Sequence, residues 1–90
     1  MPNKPTIPKG RIRQKVLQVM NLRPGHPKTE EMVFEGVNDL CGRGSVTLSE
    51  IRSAMEWNLS QAFIRSEWSD RDEVDHWFIT PEGEAEERRQ

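Results

Sequence analysis

The charged side chains of this 90-residue chain are divided unevenly along it, and the division indicates what the chain could bind. The first 28 residues carry seven basic side chains and no acidic one, whereas all fifteen Asp and Glu residues follow them. The seven are Lys4, Lys9, Arg11, Arg13, Lys15, Arg23 and Lys28. Positive charge concentrated at one end can attract a polyanion there despite the net charge of −2. We therefore expect a nucleic-acid contact near the N-terminus.

Catalytic or metal-binding chemistry finds little support in the other reactive side chains. His26 lies in a loop rich in Pro and Gly, and His76 lies in a predicted strand. Cys41 is the single cysteine, and it lacks both zinc spacing to these histidines and the positive field that activates a thiol. The carboxylates fall on polar stretches with no sign of a pocket that would shift a pKa. We therefore expect no enzyme, no catalytic residue, no bound metal and no other cofactor.

The stretch that organises the rest of the chain is residues 47–64, predicted as one helix from Thr47 to Ala62 that leads through Phe63 and Ile64 directly into a strand. Thr47 and Glu50 have the spacing of a capping box, and such a cap is typically worth about 1 kcal/mol. Apolar residues then recur every three or four positions, which is typical of the buried side of a helix. They are Leu48, Ile51, Met55, Leu59 and Ala62. The polar residues between them should face outward, namely Ser49, Arg52, Ser53, Glu56 and Ser60.

Two shorter helices are predicted before this one. The first covers residues 11–21 and buries Ile12, Val16, Val19 and Met20, with Leu17 at the flank. The second is capped by Thr29 and buries Met32, Val33, Val37 and Leu40. Gly36 weakens the middle of this second helix, which indicates a position where another helix packs closely.

Two short strands and a last helix complete the prediction. Residues 64–68 and 76–79 have the aromatic and β-branched content of strands, joined by a polar connection longer than a tight hairpin. Two strands alone are barely stable in water, so Trp68, Trp77 and Phe78 should hold them against the helices. Thr80 is a good N-cap, followed by Pro81 at the helical position where proline is best tolerated. This order defines an α+β chain that is mostly helical.

The order of elements and two local sequences resemble the winged-helix family, a relative of helix-turn-helix. The segment LSEIRSAMEWNLSQAFI resembles the third helix of small winged-helix proteins, and WFITPEGEAEERR resembles their second wing strand and the following helix start. The layout is similar to small proteins of Mu-like phages and prophages, although Asn58 stands where an apolar residue would be expected beside Trp57. The resemblance implies a three-helix winged helix with a two-stranded wing and a short C-terminal helix.

The resemblance further implies a small DNA-binding protein of the type of a phage or prophage transcriptional regulator. In winged-helix proteins that bind DNA, the third helix lies in the major groove and the wing touches the backbone or minor groove. The residues then expected to contact double-stranded DNA are Lys9, Arg11, Arg13, Lys15, Ser49, Arg52, Ser53 and Glu56. Arg52 could read guanine bidentately, whereas Glu56 would repel phosphate. The wing is acidic, so the N-terminal basic residues must neutralise the phosphates.

Domain organisation and partners follow from the same observations. We expect residues 1–10 to form a flexible basic arm and residues 11–90 to form the winged-helix domain. One cysteine, no apolar leader and no membrane span favour a cytoplasmic protein without membrane contact. A homodimer is plausible because one small module gives limited specificity. The alternative is an accessory or assembly factor that binds a protein partner through Trp57 and the acidic wing and does not bind DNA.

Overall fold

Four helices and one hairpin make up the part of the chain that the computed structural model describes, residues 7–90. Their order is α1 (Lys9–Asn21), α2 (Glu30–Cys41), α3 (Leu48–Ser60), β1 (Ile64–Ser69), β2 (Val74–Ile79) and α4 (Pro81–Arg88). The predicted α+β class, with three helices, a two-stranded wing and a short C-terminal helix, is confirmed. Helix α1 begins two residues earlier than predicted, and residues 1–6 of the predicted arm 1–10 lie outside the described residues.

Helix α1 lies at the centre of the fold and contacts α2, α3, α4 and β2. Its predicted buried side is confirmed in full, because Ile12, Val16, Leu17, Val19 and Met20 are all buried. The close approach predicted at Gly36 of α2 is also confirmed. A Cβ atom added there would lie 2.7 Å from Cγ1 of Val19, so the absence of a side chain lets α2 pack directly on α1.

Side-chain caps start α2 and α3 as predicted. The hydroxyl of Thr29 accepts a hydrogen bond of 3.2 Å from the backbone N–H of Met32. At the start of α3 the hydroxyl of Thr47 accepts from the N–H of Glu50 at 3.2 Å, and the Glu50 carboxylate accepts from the N–H of Thr47 at 2.9 Å. Both halves of the capping box are therefore present, and α3 begins at a defined residue.

The predicted buried sides of α2 and α3 are only half right. Val33, Val37, Ile51 and Met55 are buried, whereas Met32, Leu40, Leu48, Leu59 and Ala62 are exposed. The reason is that each helix buries an asparagine, Asn38 in α2 and Asn58 in α3. The face that each helix buries is therefore rotated about the helix axis relative to the face marked by the apolar residues alone. Asn38 satisfies its amide by donating to the carbonyls of Phe34 and Val46 and by accepting from the N–H of Val46. Asn58 is the corresponding residue of α3.

Helix α3 ends at Ser60, two residues before the predicted end at Ala62. Ala62 adopts a left-handed conformation with φ of 62°, which no α-helix can contain. The N–H of Phe63 then bonds to the carbonyl of Asn58 at 3.0 Å, and β1 begins at Ile64. This turn redirects the chain into the hairpin, which we call the wing (residues 64–79).

The wing is longer and more tightly connected than predicted. Its strands pair antiparallel from Ile64 with Ile79 to Ser69 with Val74, so only residues 70–73 form the connection. The backbone of Lys28 adds a single antiparallel bridge to β2, with bonds of 3.0 and 2.8 Å to Trp77. Trp77 packs against the core as predicted. Trp68 does not, because the wing extends past the helices and leaves the side chain 60% exposed.

Helix α4 closes the fold by packing against α1 and by placing its first turn on residues 62–63, the turn that follows α3. The hydroxyl of Thr80 accepts from the N–H of Gly83 at 3.0 Å, which confirms the predicted cap, and donates to the carbonyl of Ala62 at 2.6 Å. Gly83 is buried, and a Cβ atom there would lie 2.0 Å from the carbonyl oxygen of Phe63. In the described part of the chain, no helix is both long and apolar enough to cross a membrane.

Gly83→Ala should destabilise the fold by about 3 kcal/mol, because the clash is with a backbone carbonyl that cannot rotate away. Gly10→Ala is the matched control, since Gly10 also lies in a helix and an added Cβ would meet nothing within 4 Å. It should change stability by less than about 1 kcal/mol. Urea denaturation followed by circular dichroism measures both values, and equal stabilities of the two variants would contradict the packing at Gly83.

Lys28→Met should raise the melting temperature at neutral pH by a few degrees. Burial lowers the pKa of the Lys28 ammonium below the ordinary value of a lysine, and the nearby charge of Arg23 lowers it further. The charged lysine therefore opposes folding at pH values below its folded pKa, and this cost disappears once the unfolded chain also loses the proton. The advantage of the methionine variant should thus shrink as the pH approaches 10.5.

Thermal denaturation from pH 7 to pH 11 tests this expectation. Lys9→Met is the control, because it removes an exposed lysine and shows how the loss of one positive charge alone changes the melting temperature. A Lys28→Met variant that melts below the wild-type protein at neutral pH would show that burial of the ammonium is not costly.

Candidate nucleic-acid interface

A groove between α1 and α3 brings together residues from two of the predicted groups. Lys9 and Arg13 of α1 and Ser49 and Ser53 of α3 line its walls. They are positioned by the buried contact between the two helices, since Ile12 and Ala54 form the floor of the groove. We call this the α1–α3 groove. It combines two cations and two hydroxyl groups, which are the donors that phosphate oxygens and base edges accept from.

Arg13 is held in place by the aromatic residues at the end of α3. Its guanidinium carbon lies 4.5 Å from the centre of the Trp57 ring, which is a cation–π distance. Trp57 in turn lies beside Phe63, with ring centres 6.0 Å apart and the planes inclined by 58°. Trp57 is half-buried in this arrangement. The interpretation of Trp57 as an anchor for a protein partner therefore loses its basis, because the ring already packs within the chain.

Asn58 joins α3 to α1 directly below this aromatic pair. The side chain is fully buried, and its amide nitrogen donates to the carbonyls of Arg13 at 3.2 Å and of Ala54 at 3.0 Å. The side-chain oxygen has no hydrogen-bond partner among the described residues. A buried amide whose donors are directed at two helices fixes the register between those helices. The polar residue that departs from the resemblance is thus part of what positions Arg13.

Arg52 lies on the exposed face of α3 but is not unpaired. Its Nε atom is 2.9 Å from Oε1 of Glu30, the first residue of α2, and the two side chains are 60% and 34% exposed. A bond through Nε occupies one edge of the guanidinium and leaves the edge between its two terminal nitrogens without a hydrogen bond among the described residues. The sequence does not predict this pair, because a glutamate in the first turn of α2 is sufficiently explained by the positive end of the helix dipole and no local signal connects Glu30 to α3.

The other predicted contacts are dispersed around the groove. Glu56 is exposed one turn after Arg52 on α3. Lys15 donates to the side chain of Gln18 at 3.2 Å and lies on the side of α1 that faces the end of α4. Arg11 is exposed and does not line the α1–α3 groove. Of the four predicted basic residues of α1, the structure therefore places only Lys9 and Arg13 beside α3.

The wing differs sharply in charge from the groove. Between residues 65 and 75 it has five acidic side chains and two arginines. One of these, Arg65, is occupied by Glu67 at 2.7 Å and by the Phe78 ring, whose centre is 4.4 Å from the guanidinium carbon. A surface of this charge repels phosphate, so the wing cannot supply the positive charge that a nucleic-acid contact needs.

Comparison with known proteins supports the fold and leaves the family open. No protein-family model matches the sequence, and no curated protein matches it. Several solved structures are similar to the chain. One is a MarR-family transcriptional regulator from Silicibacter pomeroyi, with a TM-score of 0.71, 15% identity, and coverage of 87% of this chain and 47% of that one. The chain thus spans about half the length of that regulator.

The second similar structure is a transcriptional regulator from Clostridium thermocellum, Cth-833, with a TM-score of 0.75 and 13% identity. The match covers 90% of this chain and 77% of that one. At such identities the likeness concerns the fold alone. It confirms the winged-helix arrangement of three helices and a hairpin that the sequence predicts.

The pair of Arg52 and Glu30 should contribute little to stability in spite of its short distance. Both side chains are partly in water, so a double-mutant cycle with Arg52→Gln and Glu30→Gln should give a coupling energy of about 0.5 kcal/mol. Urea denaturation at 20 mM and 1 M NaCl measures it, and the coupling should fall at the higher salt concentration. A coupling above 2 kcal/mol would mean that the pair fixes α2 against α3.

Proposed function

We propose that this protein is a winged-helix DNA-binding regulator that places the exposed face of α3 in the major groove. The observation that supports the proposal most is the α1–α3 groove, where Lys9 and Arg13 flank Ser49 and Ser53. A helix can read bases only where cations nearby hold the phosphates on either side of the groove. Helix α3 has one cation of its own on this face, Arg52, and α1 supplies the rest.

Each predicted residue has a definite role in this proposal. Lys9 and Arg13 hold the backbone, and Arg52 reads a guanine through its two terminal nitrogens. Ser49 and Ser53 bond to a base or a phosphate, and Glu56 accepts from a cytosine amino group. Arg11 and Lys15 lie outside the groove and contribute only to the general positive potential. The carboxylate of Glu50 lines the groove, but it bonds to the N–H of Thr47 and is part of the helix cap.

Glu30 has a second effect under the proposal, because it competes with DNA for Arg52. While Nε of Arg52 bonds to Glu30, the guanidinium has a fixed orientation and a reduced net charge toward phosphate. The pair therefore favours the directional contact of Arg52 with a base over a nonspecific contact with the backbone.

The finer parts of the proposal concern biological type and assembly. The transcriptional regulators of similar fold support a regulator and not an enzyme, so DNA is the partner to test first. Two copies would read two half-sites about 34 Å apart, which compensates for the limited specificity of one small module. The resemblance of α3 and the last strand to Mu-like phage proteins supports a regulator of phage or prophage type.

Binding to a fluorescein-labelled 30-base-pair duplex of mixed sequence should be weak and strongly dependent on salt. The slope of log K against log[NaCl] should fall by about one unit in Lys9→Ala, because one phosphate contact is lost. Lys15→Ala is the matched control, with the same charge removed from the same helix on the far side, and should leave the slope within about 0.3 of the wild-type value. Fluorescence anisotropy between 20 and 200 mM NaCl measures both slopes.

Arg52→Ala should act on sequence preference and not on salt dependence. Selection from a randomised duplex library should yield a preferred site for the wild-type protein, and the variant should lose a tenfold or greater preference for one G·C pair. Equal slopes for Lys9→Ala and Lys15→Ala, together with an unchanged preference in Arg52→Ala, would contradict the placement of α3 in the major groove.

A further inference from the structure

A cleft between the wing and the first turn of α2 has a composition opposite to that of the α1–α3 groove. Trp68, Val74 and Trp77 supply its apolar surface, and Glu30, Glu31 and Asp75 supply carboxylates around it. We call it the wing–α2 cleft. None of its lining residues is basic. The connection between the two strands, residues 70–73, adds three carboxylates and one arginine, Arg71, so the wing beside the cleft is net negative.

Trp68 is a rigid and exposed anchor at the entrance of this cleft. It lies on the same face of the hairpin as Ile64 and Trp77, because residues of one strand alternate between the two faces. Unlike those residues it extends past the helices and is 60% exposed. Its indole N–H donates to Asp70 at 2.9 Å, which fixes the ring while leaving its faces open. Such a preorganised tryptophan is the residue type that most often dominates binding at protein interfaces.

The outer edge of β2 opens into the same cleft. The N–H and C=O of Trp77 point away from β1 and bond to Lys28, so the period of two places those of Asp75 on this edge as well. After Thr29 the chain turns into α2. Among residues 7–90, Lys28 is therefore the only residue that pairs with the edge of β2 opposite β1. An extended peptide could continue the pairing at Asp75 with its side chains directed toward Trp68.

We propose that the wing–α2 cleft binds an extended segment of a partner protein that alternates Lys or Arg with aliphatic residues. The carboxylates complement the basic side chains, the faces of Trp68 accept a guanidinium or an aliphatic group, and the edge of β2 supplies backbone hydrogen bonds. DNA is excluded from this surface by its charge. The cleft is also small, which suits a peptide better than the broad face of a second copy.

The probe is a fluorescein-labelled peptide, Gly-Arg-Leu-Arg-Leu-Arg-Gly, titrated into the full chain at 50 mM NaCl. Trp68→Ala should weaken its binding at least tenfold, and it should not affect folding because the side chain is exposed. Asp75→Lys should weaken binding at least fivefold through lost charge complementarity. Asp39→Lys is the matched control, since it makes the same charge change at an exposed position of α2 outside the cleft, and should change affinity less than twofold.

Further measurements separate this proposal from its competitors. In ¹H–¹⁵N spectra the peptide should shift the indole signal of Trp68 and the amide of Asp75, and Gly-Arg-Gly-Arg-Gly-Arg-Gly should bind several-fold more weakly. Equal affinities of Trp68→Ala and the wild-type protein, or equal losses in Asp75→Lys and Asp39→Lys, would overturn the proposal. So would a wild-type dimer that Trp68→Ala converts to a monomer. Duplex DNA binding should be unchanged in Trp68→Ala, so failure here leaves the DNA proposal to be judged by its own test.

Discussion

The contact between α1 and α3 is the constraint on which the rest of the structure depends. Ile12 and Ala54 are buried where the two helices meet, and the Asn58 amide bonds to the backbone of both. The cation–π contact between Arg13 of α1 and Trp57 of α3 adds a second side-chain contact between the same two helices. A shift of one helix along the other would break the amide bond from Asn58 to Arg13 and separate Lys9 and Arg13 from the serines of α3. The register of one helix pair therefore sets both the core and the groove.

The fold also places opposite charges on separate surfaces, whereas the sequence shows only that basic residues precede acidic ones along the chain. Basic residues of α1 end beside α3, whereas carboxylates of the wing and of the first turn of α2 end beside Trp68. A net charge of −2 conceals this arrangement, because the attraction of a polyanion or a polycation depends on local potential and not on the sum. Each surface can therefore attract a partner that the other surface repels. Under the two proposals, this opposition of charge keeps the DNA and the basic segment on separate surfaces of one small domain.

The sequence predicted the features that depend on residues close to one another in the chain, and it failed where distant segments come into contact. The caps at Thr29, Thr47 and Thr80, the buried side of α1 and the close packing at Gly36 all follow from residue types at short spacing, and all are confirmed. The buried sides of α2 and α3 were misplaced because periodicity treats asparagine as polar. Nothing near Asn38 or Asn58 reveals that another segment's backbone will satisfy its amide. The groove could be predicted only in part for the same reason, since Arg13 and Ser53 on its two walls are 40 residues apart in the sequence. The pair of Arg52 and Glu30, 22 residues apart, could not be predicted at all.

Glu30 shows why the two surfaces cannot be fully independent. Its carboxylate bonds to Arg52 and also lines the wing–α2 cleft, so one side chain belongs to both. A basic segment in the cleft competes with Arg52 for this carboxylate, and a DNA phosphate or base competes with Glu30 for the guanidinium. If both partners bind as proposed, each must therefore change the affinity of the other by the same factor, because binding free energies around a closed cycle are linked. The exposure of the pair keeps that factor small, since an ion pair largely in water has little energy to transmit.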